Sequence, residues 1–205
     1  MEILKKMMLI SALLLSFSAK SQTDDVVTKA FEESYKYEYL TNYDKAIESI
    51  VKIYKDNVYE INLRLGWLYY ANKNYAQAAT YYKKAVTIMP YSIEAKFGLV
   101  NAMSVLGNWD VCVQQYKDIL TIDNQNSKVR YYLALYYYNK SNFAEANKYL
   151  ENTANQYPFD YDITILYAWI NLKLEKYREA KIIFNKVLLI NPNDVSAKEG
   201  LSLIK

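Results

Sequence analysis

Histidine is absent from this chain of 205 residues, and cysteine occurs once, at Cys112. The missing imidazoles remove Ser-His and Cys-His nucleophile pairs and the common zinc ligand sets. A lone cysteine has no partner for an internal disulfide. Glycine and proline are scarce, at four and three residues, which suits long helices joined by short turns. Gly66, Gly98, Gly107 and Gly200 form no phosphate-cradling loop. Neither sign of charge dominates: 25 basic against 22 acidic residues gives a net +3, a mixed surface with no nucleic-acid footprint. Lys83-Lys84 is too short for a basic patch. Asp24-Asp25 and Glu32-Glu33 are adjacent pairs, and neighbours in sequence do not share a helix face, so they read as solvated charge. No metal-ligand spacing exists. The expectation is a protein with no cofactor and no metal, and one that is not an enzyme.

What the chain does have is tyrosine, 23 residues of it, within an apolar fraction of 52%. That fraction is enough to bury a core. The first 21 residues have the make-up of a secretory signal peptide. Lys5 and Lys6 form a positive start, Met7 to Phe17 is an apolar run, and Ala19-Lys20-Ser21 offers small residues for cleavage before Gln22. The run is eleven residues, too short to cross about 30 Å of hydrocarbon. No cysteine sits near the cut, which argues against a lipoprotein. Cleavage would remove Glu2, Lys5, Lys6 and Lys20, leaving 22 basic and 21 acidic residues, net +1. The expectation is an exported protein, periplasmic or secreted, with little pull on nucleic acid or anionic lipid.

The rest is periodic. Tyr75 is followed at intervals of 34 residues by Trp109, Phe143 and Tyr177, and Ala78 likewise by Cys112, Ala146 and Ala180. Pro90 has echoes at Pro158 and Pro192, with Asn124 between them. Each period reads as two helices: a first with apolar residues three and four apart, such as Leu63, Trp67 and Tyr70, then a polar turn, then a second opened by an aromatic. A small residue three positions on lets the helices approach closely. The pairs span about 27–58, 59–92, 93–126, 127–160 and 161–194, with a capping helix over 195–205. Tyr43 and Ala46 precede Tyr75 and Ala78 by 32 residues, which places a shortened connection near Asp56-Asn57.

Leu65, Gly66, Tyr69, Ala78, Tyr82, Ala85 and Pro90 resemble the signature of the tetratricopeptide repeat family, whose 34-residue period and residue pattern are established. Ala168, Tyr177, Ala180, Phe184 and Pro192 repeat it, as do Leu133, Ala134, Tyr137, Phe143, Ala146 and Pro158. The copy with Val100, Met103 and Cys112 departs most. The resemblance implies an all-α fold, a right-handed α-solenoid of helix-turn-helix repeats. It also implies that the first helices line a concave groove that holds a protein segment.

On that geometry the groove carries Phe31 and Tyr35, then Leu63, Trp67 and Tyr70, then Phe97 and Asn101, then Tyr131, Leu135 and Tyr138, then Ile165 and Trp169. Tyrosine and tryptophan bury much area at low entropic cost. Trp67, Tyr70, Tyr138 and Trp169 are the anchors to test; alternatively, a narrow superhelix packs such side chains on one another. Tyr69, Tyr75, Tyr82, Trp109, Tyr116, Tyr137, Phe143, Tyr177 and Phe184 are assigned to the core, and Cys112, at the small-residue site, to a buried hydrophobe. Asn101 sits among Phe97, Val105 and Leu65 without cations, so a clamp for a C-terminal carboxylate is not expected. The function expected is an adaptor for a protein or peptide segment of an envelope complex, with no nucleic-acid partner. Two alternatives stand beside it: a self-assembling spacer, hence a homo-oligomer, and a cell-wall or carbohydrate binder that stacks sugars on its aromatics.

Overall fold

A computed structural model describes residues 25–204; the signal-peptide reading of residues 1–21 lies outside them. The described chain is all-helical, without strands. Helix α1 covers 25–39. It is followed by α2 Tyr43–Val51, α3 Tyr59–Ala71, α4 Tyr75–Ile88, α5 Ile93–Val105 and α6 Trp109–Ile122. Then come α7 Ser127–Asn139, α8 Phe143–Gln156, α9 Tyr161–Lys173, α10 Tyr177–Ile190 and α11 Val195–Ser202. Odd-numbered helices are the first of each pair and even-numbered helices the second. The result is an α-solenoid of helical repeats. It divides into two compact units, one ending at Gln115 and the other beginning at Tyr116.

One turn joins the helices within every pair. Thr41, Lys73, Gly107, Ser141 and Glu175 all take positive φ, between 56° and 73°. In the second pair Lys73 N–H donates to Tyr70 O at 2.9 Å and Asn74 N–H to Tyr69 O at 2.8 Å, the double closure of a Schellman motif. The other four turns repeat both bonds. The next residue then caps the following helix: Asn42, Asn74 and Asn142 each accept from the backbone N–H three residues on. Only Gly107 among the five is a glycine, so four turns hold a side chain in a conformation that L-residues resist. The sequence shows these turns as polar and hides their backbone state.

The two-residue shortfall in the first pair falls in the second helix rather than at Asp56-Asn57 alone. Helix α2 has 9 residues where α4 has 14. The chain leaves it after Val51 and crosses to α3, where the Asn62 amide donates to the carbonyls of Asp56 and Val58. That bond recurs. Arg130 donates to Asn124 O, and Thr164 to Pro158 O, so the fourth residue of a first helix ties down the loop before it.

Packing in the first unit centres on a ring between two glycines. Tyr82, buried on α4, lies against Gly66 of α3 and Gly98 of α5; a Cβ on Gly98 would stand 2.2 Å from the ring, and one on Gly66 2.8 Å. In the second unit Phe184 occupies the equivalent place against Gly200, where a Cβ would also fall at 2.2 Å. Where the second helix carries Leu150, the receiving residue is Leu166, and both are core. At these places a large knob is met by glycine and a medium one by leucine, whereas Tyr116, the equivalent knob on α6, stacks on the Tyr132 ring with centroids 5.6 Å apart.

Three of the core assignments hold fully: Tyr82, Tyr116 and Phe184 are buried. Tyr69, Tyr75, Tyr137 and Phe143 are half-buried. Trp109 and Tyr177 are not core, being 50% and 45% exposed. Of the four aromatics that open α4, α6, α8 and α10, two pack on the residue five earlier. Tyr75 packs on Tyr70 at 5.4 Å and Phe143 on Tyr138 at 5.4 Å. For Trp109 and Tyr177 the residue five earlier is Ser104 and Leu172, not an aromatic, and no ring contact is seen for either among the described residues. Cys112 is buried, its Sγ donating to Val100 O, and burial pushes the thiol's pKa up.

Candidate partner-binding face

The twelve groove residues fall on odd-numbered helices and divide between the units. In the first unit Tyr35 is 56% exposed and Trp67 45%, and Asn101 is exposed. Phe31 packs against the core of α2 and α3, and Leu63 and Tyr70 pack beside Tyr82. Phe97 is half-buried. Trp67 and Tyr70 stack with centroids 6.4 Å apart, and Tyr70 meets Tyr75 edge-on.

In the second unit the corresponding residues are more enclosed. Tyr131, Leu135 and Tyr138 pack on the core around Leu150 and Ile170. Burial raises the pKa of the Tyr131 and Tyr138 hydroxyls. Ile165 and Trp169 pack on the core around Phe184. The Trp169 ring meets Phe184 edge-on at 5.3 Å, and its Nε1–H donates to Ser196 Oγ at 2.8 Å. Trp169 is therefore largely a packing residue, whereas Trp67 shows a ring face to solvent.

Sequence reasoning missed what holds Trp67. Arg64, one turn before it on α3, is only 6% exposed. Its Nη1 pairs with Glu38 Oε2 at 2.5 Å, and Nε and Nη2 donate to Ser34 Oγ at 3.2 and 3.0 Å. The guanidinium carbon lies 3.9 Å from the Tyr35 ring centroid. Glu38 Oε1 in turn accepts the Trp67 indole N–H. A buried cation needs such complete pairing, since an unpaired one would be costly. One signal was available: the same repeat position holds Gly98, Tyr132, Leu166 and Gly200, so a charge there demanded a partner.

A rung between neighbouring first helices also went unread. The Tyr59 hydroxyl meets Ser92 Oγ at 2.7 Å, and the Tyr161 hydroxyl donates to Asp194 Oδ2 at 2.7 Å. Ser92 and Asp194 are the N-caps of α5 and α11, so each tyrosine steadies the cap of the next first helix. The Tyr161 bond, followed by cap bonds from the α11 backbone, holds the Asp194 carboxyl below the usual aspartate range. No group of three or more metal-binding side chains occurs among the described residues, and no described helix is long and apolar enough to cross a membrane.

Known proteins agree with this architecture. Residues 59–92 and 139–203 each match the Tetratricopeptide repeat family, and the chain belongs to that family. A crystal structure of MamA protein is similar, at 20% identity and a TM-score of 0.71, over 82% of this chain and 93% of that one. A tetratricopeptide repeat protein from Parabacteroides merdae ATCC 43184 is similar at 18% identity and a TM-score of 0.73, over 87% and 72% of the two chains. MamA 41-end from Desulfovibrio magneticus RS-1 gives 13% identity and 0.69, over 83% and 98%. At these identities the likeness is one of fold. No curated protein matches the sequence. Repeats of this kind are protein-interaction scaffolds, and that coarse role follows from the family.

Proposed function

We propose that this protein is an exported adaptor that holds a segment of a partner protein against the first-helix face of its N-terminal unit. The observation that carries the reading is the pair Tyr35 and Trp67: two large aromatics, each about half exposed, on successive first helices and fixed from below by Arg64 and Glu38. Rigid exposed aromatics are the side chains that dominate interfaces. A partner would bury them together with Tyr70, Leu63 and Phe97, and Asn101 would stand at the edge as a polar contact. Export rests on the N-terminal sequence alone, and mass analysis of the mature protein checks it: the chain should begin at Gln22.

A photoreactive residue at Asn101, which lies on this face, tests the binding role in intact cells. It should capture a discrete partner, and the same residue at exposed Lys83 on α4 should not. Adding Trp67→Ala should abolish capture. Equal capture from both positions, or capture indifferent to Trp67, would remove the assignment.

A second reading is favoured by Val195 and Leu203 on and after α11 and by Leu189 on α10, exposed at 78%, 53% and 73%. These apolar side chains fit end-to-end self-association. Light scattering across a concentration range decides it, because a persistent monomer rejects it.

A further inference from the structure

We infer that the exposed rings of the N-terminal unit, each followed by an unpaired glutamate on the next first helix, are seats for lysine or arginine side chains, and that the partner segment held there is basic. This inference rests on the adaptor reading above and names the chemistry of its partner. Trp67 and Glu94 make the first pair. Glu94 stands 27 residues after Trp67, as Ser196 does after Trp169. In that other copy the two side chains meet at 2.8 Å, so a ring at this place is within reach of the second residue of the next first helix. Electrostatics agree with the register. Burial first, then Glu94 and Tyr70, push the pKa of the Tyr82 hydroxyl up, and Tyr70 stacks on Trp67 with centroids 6.4 Å apart. Tyr35 and Glu60 make the second pair, 25 residues apart; the two-residue shortfall of the first repeat accounts for the difference.

Both glutamates are exposed, and neither forms an ion pair among the described residues. The nearby cations are spent. Arg64 is buried, paired with Glu38 and bonded to Ser34. Lys96, two residues past Glu94, is buried and already partnered. Arg64 and Glu38 cancel, so Glu60 and Glu94 leave this face negative. An acidic segment arriving here would meet like charge. Any segment that covers the rings also takes water from the carboxylates beside them, and a cation replaces what is lost. A lysine or arginine stem lies along a ring while its charged end reaches the carboxylate. The ring itself attracts the cation, more strongly as water is excluded. The protein supplies its own example, since the Arg64 guanidinium carbon lies 3.9 Å from the Tyr35 ring centroid. That cation already takes one face of Tyr35, so the Trp67–Glu94 seat is the stronger of the two, an indole being also the better ring for a cation.

The probe is a capped peptide of alternating lysine and glycine, titrated into the protein while the tryptophan indole N–H resonances are followed by NMR. The Trp67 resonance, identified by its loss in Trp67→Ala, should shift with saturation, and those of Trp109 and Trp169 should not. Added salt should weaken binding. Calorimetry reads the variants. Trp67→Ala should weaken binding about tenfold or more, Glu94→Gln about threefold to tenfold, and Glu60→Gln about threefold. Asp110→Asn removes an exposed carboxylate of the same unit from the same helix position on a second helix, α6. It should change nothing, which a response to net charge alone would not allow. A peptide of acetyl-lysine keeps the stem and loses the charge. If it, or a glutamate peptide, shifts Trp67 as strongly as the lysine peptide does, the basic partner is overturned and the adaptor reading survives with other chemistry. If Glu94→Gln and Asp110→Asn have equal effects, the pairing of ring and glutamate is overturned. No shift with any peptide overturns the inference; joined to no capture at Asn101, it removes the adaptor reading as well.

Discussion

Trp67 and Trp169 occupy the same place in the repeat, 102 residues apart, and meet opposite fates. Trp67 leans back toward the preceding first helix, where Glu38 takes its indole proton, and stays 45% exposed. Trp169 leans forward to Ser196 on the following first helix and covers Phe184. The neighbouring positions decide. The residue that would correspond to Glu38 in front of Trp169 is Tyr138, a ring with no carboxylate, while the forward side offers the small hydroxyl of Ser196. For Trp67 the forward residue is Glu94 instead. The same side chain is thus a presented surface in one unit and a wall of the core in the other. A repeat signature specifies the helix pair and leaves the use of its solvent-facing positions to the repeats on either side.

The contrast is broken most directly by truncating both indoles. Trp169→Ala should cost about 3 kcal/mol in denaturant unfolding, because it removes a ring packed on Phe184. Trp67→Ala should cost under about 1 kcal/mol, since much of the ring is already in water. Equal costs would mean that the exposures do not reflect the packing. A smaller effect, about 2 kcal/mol, is expected for Gly98→Ala, whose new Cβ would fall 2.2 Å from the Tyr82 ring. The clash can be relieved by making the knob match that of the second unit, where leucine meets leucine. Gly98→Ala should therefore cost less in a Tyr82→Leu background than alone, as a double-mutant cycle would show.

A smaller effect again, about 1 kcal/mol, concerns the two cap rungs. Tyr59 meets the neutral Ser92, whereas Tyr161 meets the Asp194 carboxylate. The folded-state pKa of Asp194 is depressed below its ordinary 3.8. Its stabilising contribution is therefore complete above the ordinary value and lost as pH falls through the folded one. Asp194→Asn should remove that part of the acid sensitivity and lower stability at neutral pH by about 1 kcal/mol, the usual worth of a helix cap. Ser92→Ala should lower stability equally at pH 3 and pH 7, on the order of a cap's worth. Identical pH profiles for both variants would show that the carboxylate rung contributes nothing special.

The helix pairs were legible because they depend on local information: apolar spacing, an asparagine before α2, α4, α6 and α8, and prolines past α4, α8 and α10. Tyr82 and Phe184 read as core because an aromatic recurring beside small residues has few other uses. Trp109 and Tyr177 misled because they share the position of Tyr75 and Phe143, and only the residue five earlier separates covered rings from bare ones. Arg64 went unread for a related reason. Its partners Ser34 and Glu38 lie 30 and 26 residues away in sequence, and no spacing rule links a cation on one first helix to a carboxylate on the previous one.

By itself the sequence determined that the chain forms paired helices at a fixed period and stacks them, since each pair leaves an apolar side that only another pair can cover. It also set which residues stand on the first helices. Only the tertiary structure decided which of those residues are offered to solvent and which are spent on the core. That outcome depends on side chains of adjacent repeats competing for the same few ångströms, a contest that periodicity, being the same in every repeat, cannot express.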